Sequence, residues 1–178
     1  MKKQSNLSRL LEIAGSHKYL TYASWVLSAI SALIALVPFY YIWKMIKEVL
    51  EVAPNFGQAQ SLTGNGWMAV LFAVIAVLVY IAGLMCSHLG AFRIATNLRI
   101  QTMEHIESFG GGKLRKIVNE SSAATETYLA HQLPDRANAI ATPCGLLVLL
   151  FVFDWRLGLL SLVPVVLGFL IMMTMTGK

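Results

Sequence analysis

Charge is what this sequence is short of. Of its 178 residues only 13% are Asp, Glu, Lys or Arg, about half the roughly 25% of an average soluble domain. The apolar share is 57% and the mean hydropathy +0.65, a balance that excludes a soluble globular domain and marks an integral membrane protein. Cysteine is equally scarce. Cys86 and Cys144 both sit inside apolar runs, with no Cys-x-x-Cys spacing and no nearby His pair to complete a metal site, so both read as small packing residues. No Ser/His/Asp, Cys/His or paired-carboxylate arrangement stands out, which leaves catalysis within the chain, and any resident metal, without support. Internal repeats and low-complexity tracts are missing too.

What is present is a set of long apolar runs. Residues 19–43 exceed the roughly 20 needed to cross the hydrocarbon core and read as a first span, with Pro38 placed to kink it and Tyr40, Tyr41 and Trp43 as an interfacial aromatic belt. The helix can continue to Glu51, since Lys44/Glu48 and Lys47/Glu51 stand at i, i+4, until Pro54 breaks it. Residues 44–66 form an external segment in which Gly64-Asn65-Gly66 is expected to turn. The second span is 67–92, the third 137–153 and the fourth 157–175, the last two separated only by Asp154-Trp155-Arg156. Ahead of them, Leu7, Leu10, Leu11 and Ala14 alternate with Arg9 and Glu12 at helical spacing, so 1–18 reads as an amphipathic interfacial helix lying on the inner leaflet. A signal peptide fits less well, because the apolar run starts late and runs long.

The net charge of +5 would suggest nucleic acid in a soluble chain. Here the cations flank apolar runs, where they set orientation, and no nucleic-acid partner is expected. Lys2, Lys3, Arg9, Lys18, Arg93, Arg99, Lys113, Arg115, Lys116 and Arg136 fall on one side; Lys44, Lys47 and Arg156 fall on the other. The positive-inside rule gives an all-α, four-span protein with both termini and the 93–136 loop in the cytoplasm.

That loop organises the chain. Gly110-Gly111-Gly112 must interrupt a helix, and the arms on either side, 93–109 and 119–136, would each project roughly 25 Å beyond the bilayer. Between them Lys113-Leu114-Arg115-Lys116-Ile117-Val118 sets three apolar residues on one face and three cations elsewhere, a short amphipathic cross-piece, with Asn119, Ser121 and Ser122 as caps for the next helix. A polar hairpin this long costs ordering entropy and buries little, so its tip is expected to touch a partner.

Several motifs have ordinary alternatives. Gly110-Gly111-Gly112-Lys113 is no phosphate loop, because Leu114 replaces the required Ser/Thr and no strand precedes it. Asn119-Glu120-Ser121 matches a glycosylation acceptor but is placed in the cytoplasm. Ser87 and His88, near the cytoplasmic end of the second span, could line a polar cavity; the plainer reading is a hydrated interfacial histidine. Met172, Met173 and Met175 could form an adaptable substrate surface or simply pack.

In order and spacing these residues resemble the N-terminal part of the transmembrane domain of ATP-binding cassette (ABC) exporters, from the elbow helix to the fourth span. Phe153-Asp154-Trp155-Arg156-Leu157 is similar to the tight external turn between spans three and four. Gly112-Lys113-Leu114 through Val118-Asn119-Glu120 is similar to the first coupling helix, at 113–118, and the start of the long helix after it, and Ala130-His131-Gln132-Leu133-Pro134 sits where that helix nears the membrane. The resemblance implies a dimeric transporter, homo- or heteromeric, with six spans per half, whose coupling helices dock on nucleotide-binding domains that hold ATP and magnesium. On it, Lys113, Leu114, Arg115, Lys116, Ile117 and Val118 dock, the apolar members filling a groove and the cations meeting an acidic rim. The pattern departs in a shortened segment between His105 and Gly112, and in lacking spans five and six and every nucleotide-binding motif. The expectation is therefore an incomplete membrane domain with no cofactor or ATPase activity of its own, in which small polar positions such as Ser24, Ser28, Ser31 and Thr142 await further spans. The rival is a self-contained four-span adaptor or sensor whose hairpin recruits a soluble partner.

Overall fold

A computed structural model describes residues 11–12, 14–106 and 112–176. Most of the expected elbow helix, and Gly110-Gly111 of the glycine break, lie outside the described residues. Among the described residues there is no strand, and four stretches are long and apolar enough to cross a membrane.

A short 3-10 turn at Gly15–His17 leads into α1 (Lys18–Ile34) and α2 (Val37–Val52). The two are separate helices where sequence expects one kinked span. Pro38 has no N–H to offer the carbonyl four residues back, so the chain tightens at the break into Leu36 N–H to Leu33 O at 3.2 Å and Phe39 N–H to Leu36 O at 3.1 Å. Helix α2 carries the Lys47–Glu51 pair at 3.8 Å. Glu48 does not turn to Lys44. Its carboxylate accepts the Ser61 backbone N–H at 2.9 Å and the Ser61 hydroxyl, while Lys44 lies over the Tyr40 ring. Ser61 immediately precedes α3 (Leu62–Ile106), and Asn65 N–H reaches the Ser61 carbonyl at 2.9 Å. The expected turn at Gly64-Asn65-Gly66 is thus the first turn of α3. A glycine costs only about 1 kcal/mol in a helix, and the apolar run behind it propagates the helix backwards.

At 45 residues, α3 is roughly 70 Å long, about twice the hydrocarbon thickness, so much of it must stand outside the bilayer. After the glycines, α4 (Gly112–Thr127) passes through a π turn at Tyr128–Gln132 into α5 (Leu133–Phe153), and α6 (Trp155–Thr176) follows. The cross-piece expected over 113–118 is not a separate element: α4 runs on through Asn119, Ser121 and Ser122, because nothing between Lys113 and Leu133 is a glycine or proline to stop it.

The chain forms two compact units, Met1–Ser31 with Leu78–Ala139 and Ala32–Val77 with Ile140–Lys178. In the first, Ala14, Ala91, Ile94, Leu129, Ala130 and Leu133 are buried together with Trp25 and Tyr128 against them. Thr21, Ser24, Ser28 and Ser31, at three- and four-residue spacing on α1, are all buried. Ser24, Ser28 and Ser31, expected to lack packing neighbours, are thus covered within the chain itself, while Thr142 is half-buried. A Cβ added at Gly83 would lie 3.2 Å from Leu27 Cβ and 3.5 Å from Ser28 N, and one at Gly90 would lie 3.2 Å from Leu20 Cβ. Small residues seven apart on α3 let its backbone approach the serine face of α1, where close van der Waals contact replaces the hydrophobic drive absent in lipid.

In the second unit Trp43 stacks on Phe153 at 5.0 Å and Tyr41 on Phe72 at 5.8 Å. A Cβ at Gly145 would meet Leu36 at 2.5 Å and Leu33 at 2.9 Å. Only Asp154 separates α5 from α6: its side chain accepts the Arg156 N–H at 2.8 Å, capping α6, and the Phe151 ring folds against Gly158.

Candidate functional site

The site grows from one proline. Pro134 has no N–H and its ring crowds the carbonyl four residues earlier, that of Ala130. The helix answers with the π turn, in which Leu133 N–H reaches back to Tyr128 O. The loosened carbonyls are buried among Leu129, Ala130 and Leu133, where a missing partner would cost about 1–3 kcal/mol. Ser87, itself buried on α3, supplies it. Its hydroxyl lies 2.6 Å from Ala130 O and 3.2 Å from Leu129 O, so one O–H serves a shared pair of acceptors.

This bond sets its neighbours. His88 follows Ser87, His131 follows Ala130, and the two imidazoles meet edge to face with centroids 5.0 Å apart and planes at 80°. Both rings are exposed. Arg136, one turn further on, lies over the Tyr128 ring. Sequence reading singled out Ser87 and His88 but not His131 as their partner. The available signal was Pro134, whose freed carbonyl demands a donor from another helix.

Beyond this junction the α3 extension and α4 are tied by Arg99 to Glu126 at 3.5 Å, both about one-third exposed. A solvated pair of this kind contributes at most about 1 kcal/mol. Arg99, Ile100, Met103 and Glu104 line a cavity of about 280 Å³. At the start of α4, Arg115, Lys116 and Ile117 are exposed, with Lys116 paired to Glu120 at 3.8 Å. Val118 departs from its expected place on the docking face. It is buried, because with Ser122 and Leu129 it forms the inward stripe of α4 and the π turn. Lys113 and Leu114 lie in the first turn of α4, and their side chains lie outside the described residues. No group of three or more His, Cys, Asp or Glu that could hold a metal occurs among the described residues.

No protein-family model matches the chain. Three curated relatives do. The chain is 28% identical over 161 residues to the mycobactin import ATP-binding/permease protein IrtA of Mycolicibacterium smegmatis, 29% over 163 residues to that of Mycobacterium tuberculosis, and 30% over 159 residues to that of Mycolicibacterium thermoresistibile. The chain is similar to part of an ABC transporter transmembrane domain. The matches take in 86–87% of this chain and 17–18% of each relative, so the chain spans less than a fifth of their length. Four membrane-crossing stretches together with similarity to a permease make it a multi-pass membrane protein. The match covers the ABC transmembrane region, while the direction of transport stands apart from it: the relatives are named for import, whereas sequence reading expects an exporter.

Proposed function

We propose that this chain forms part of the translocation pathway of an ATP-driven transporter and carries, at the start of α4, the contact to a nucleotide-binding domain. The observation that supports this most is the pairing of an over-long second span with a returning helix. Helix α3 outruns the bilayer, α4 comes back beside it through the Arg99–Glu126 pair, and Ile117 stands half-exposed directly after the exposed Arg115 and Lys116. An exposed apolar residue among cations suits a groove with an acidic rim. Lys113 and Leu114 join this face by sequence, while Val118 supports it from inside. The cation asymmetry sets both termini and this hairpin in the cytoplasm. A second transporter half, identical or different, would cover the apolar surface of α6, along which Leu160, Val163, Leu167 and Met175 are exposed.

The test is co-purification with a nucleotide-binding domain and a second transporter half expressed alongside, followed by ATP-dependent uptake into vesicles by the assembled transporter. Ile117→Asp should weaken association and leave membrane insertion intact. Uptake into inverted vesicles reads export; uptake into right-side-out vesicles reads import. Unchanged association in Ile117→Asp would mean that this end of α4 is a solvated surface, as the adaptor reading allows.

A further inference from the structure

We infer that the junction of the 3-10 turn at Gly15–His17 with α3 is a binding site for the headgroup of an anionic glycerophospholipid. A polar cavity at the membrane boundary carries the proposal. It holds about 220 Å³ and is lined by His17, Phe92, Arg93, Thr96 and Asn97. These positions stand where the apolar runs 19–43 and 67–92 stop, at the level where a bilayer presents its phosphates.

The packing around it fixes the cavity. A Cβ at Gly83 would lie against Leu27 and Ser28, and one at Gly90 against Leu20 and Thr21. The same antiparallel register, carried one turn further, sets His17 opposite Arg93. Ala14 holds the turn from its other end, buried with Ala91 and Ile94. Between that anchor and α1, Gly15 bends the chain with a φ of 55°, which a residue with a side chain adopts only at a cost.

The chemistry of the lining selects the ligand. Arg93 is exposed, and among the described residues no carboxylate pairs with it or lines the cavity. Glu104, further along α3, belongs to the separate cavity beside Arg99. The planar guanidinium matches a phosphate through two parallel N–H bonds. His17 adds an N–H donor in either tautomer, and Lys18, its ammonium over the Tyr19 ring, adds a second cation in the adjoining position. These cations repel a headgroup that ends in an ammonium. The hydroxyls of a glycerol headgroup instead meet Thr96 and Asn97, whose side chains both donate and accept. Exposed Tyr19 and Phe92 then face the region where acyl chains begin. Free phosphate shares the anionic group but has neither glycerol nor chains to offer these neighbours. The inference goes beyond the transport reading and is independent of its direction, since lipid retention is read on the chain alone.

The experiment uses the full chain in neutral detergent. Phosphatidylglycerol, phosphatidylcholine and inorganic phosphate are titrated in turn, and native mass spectrometry counts what each chain retains. One phosphatidylglycerol per chain is expected, held in preference to phosphatidylcholine and not displaced by inorganic phosphate. Arg93→Gln should weaken retention about fivefold, the worth of one basic side chain at an anionic membrane surface, with the lipid-free thermal midpoint unchanged. Asn97→Leu should narrow the preference over phosphatidylcholine. Arg156→Gln removes the same charge from the turn between α5 and α6 and should retain lipid as the parent does. Equal retention of the two lipids by the parent, an equal loss in Arg156→Gln, or full retention and preference in both cavity variants would overturn the site. Displacement by inorganic phosphate would overturn the lipid in favour of the free anion.

Discussion

The two units of this chain pack by different means. In the first, hydroxyls and glycines bring helices together: Thr21, Ser24 and Ser28 are buried where Gly83 and Gly90 admit the backbone of α1, and Ser87 bonds to carbonyls freed by a proline. In the second, large side chains meet, Trp43 on Phe153 and Leu36 over Gly145, and α6 exposes Val163, Val166, Phe169 and Leu170. The difference teaches where a membrane chain spends its specificity. At Gly83 and Gly90 an added methyl group would come 3.2 Å from a Cβ of α1 with a backbone nitrogen 3.5–3.6 Å away, atoms that only a helix shift can move. At Gly145 and Gly158 it would instead meet the ends of side chains, Leu36, Leu33 and the Phe151 ring. Apolar contacts between large side chains hardly distinguish a protein neighbour from lipid.

The sharpest way to break the comparison is to place the same bulk in each unit. Gly90→Leu should cost about 3 kcal/mol, the upper part of the usual overpacking range, since even a Cβ there comes within 3.6 Å of Thr21 N. Gly168→Leu on α6 meets nothing within 4 Å and should change stability by no more than about 0.5 kcal/mol. Thermal unfolding of both variants in detergent reads the contrast, and equal effects would remove it. Next comes the hairpin end, where Ile117→Asp should weaken binding to a nucleotide-binding domain by about 2 kcal/mol, measured by titration of the two purified components.

Within the first unit, Ser87→Ala should destabilise by about 1–2 kcal/mol because a buried carbonyl loses its donor. Pro134→Ala restores an N–H for Ala130, so in that background Ser87→Ala should cost less. A double-mutant cycle without coupling would mean that proline and serine act separately. The smallest effect should be at Arg99→Ala, under about 1 kcal/mol in stability and diminishing as salt is raised, because the Arg99–Glu126 pair is solvated.

Much of the fold was legible in the sequence for a physical reason. Membrane-crossing runs need length and apolarity, which one-dimensional reading detects, so the all-α, four-span class followed from residues 19–43, 67–92, 137–153 and 157–175 alone. The ends of elements were harder to read. Gly64-Asn65-Gly66 looks like a turn, yet it joins α3 because Ser61 provides the start and the apolar run behind propagates the helix. Asn119 looks like a cap, yet α4 passes through it. Long-range pairing was hidden altogether. Periodicity shows that Val118 shares a face with Leu129, but not that this face is buried. A proline at 134 announces a freed carbonyl, and only the folded chain shows that Ser87 meets it and that His131 then comes to His88.

The most direct measurement is the side of the membrane on which the hairpin stands. In a background with Cys86→Ser and Cys144→Ser, Gln60→Cys and Ser121→Cys place single thiols at exposed positions of the loop before α3 and of α4. An impermeant thiol reagent applied to intact cells should label the first and spare the second until the membrane is permeabilised. Labelling of the α4 position in intact cells would put the hairpin outside, away from any ATP-binding partner, and contradict the transporter reading.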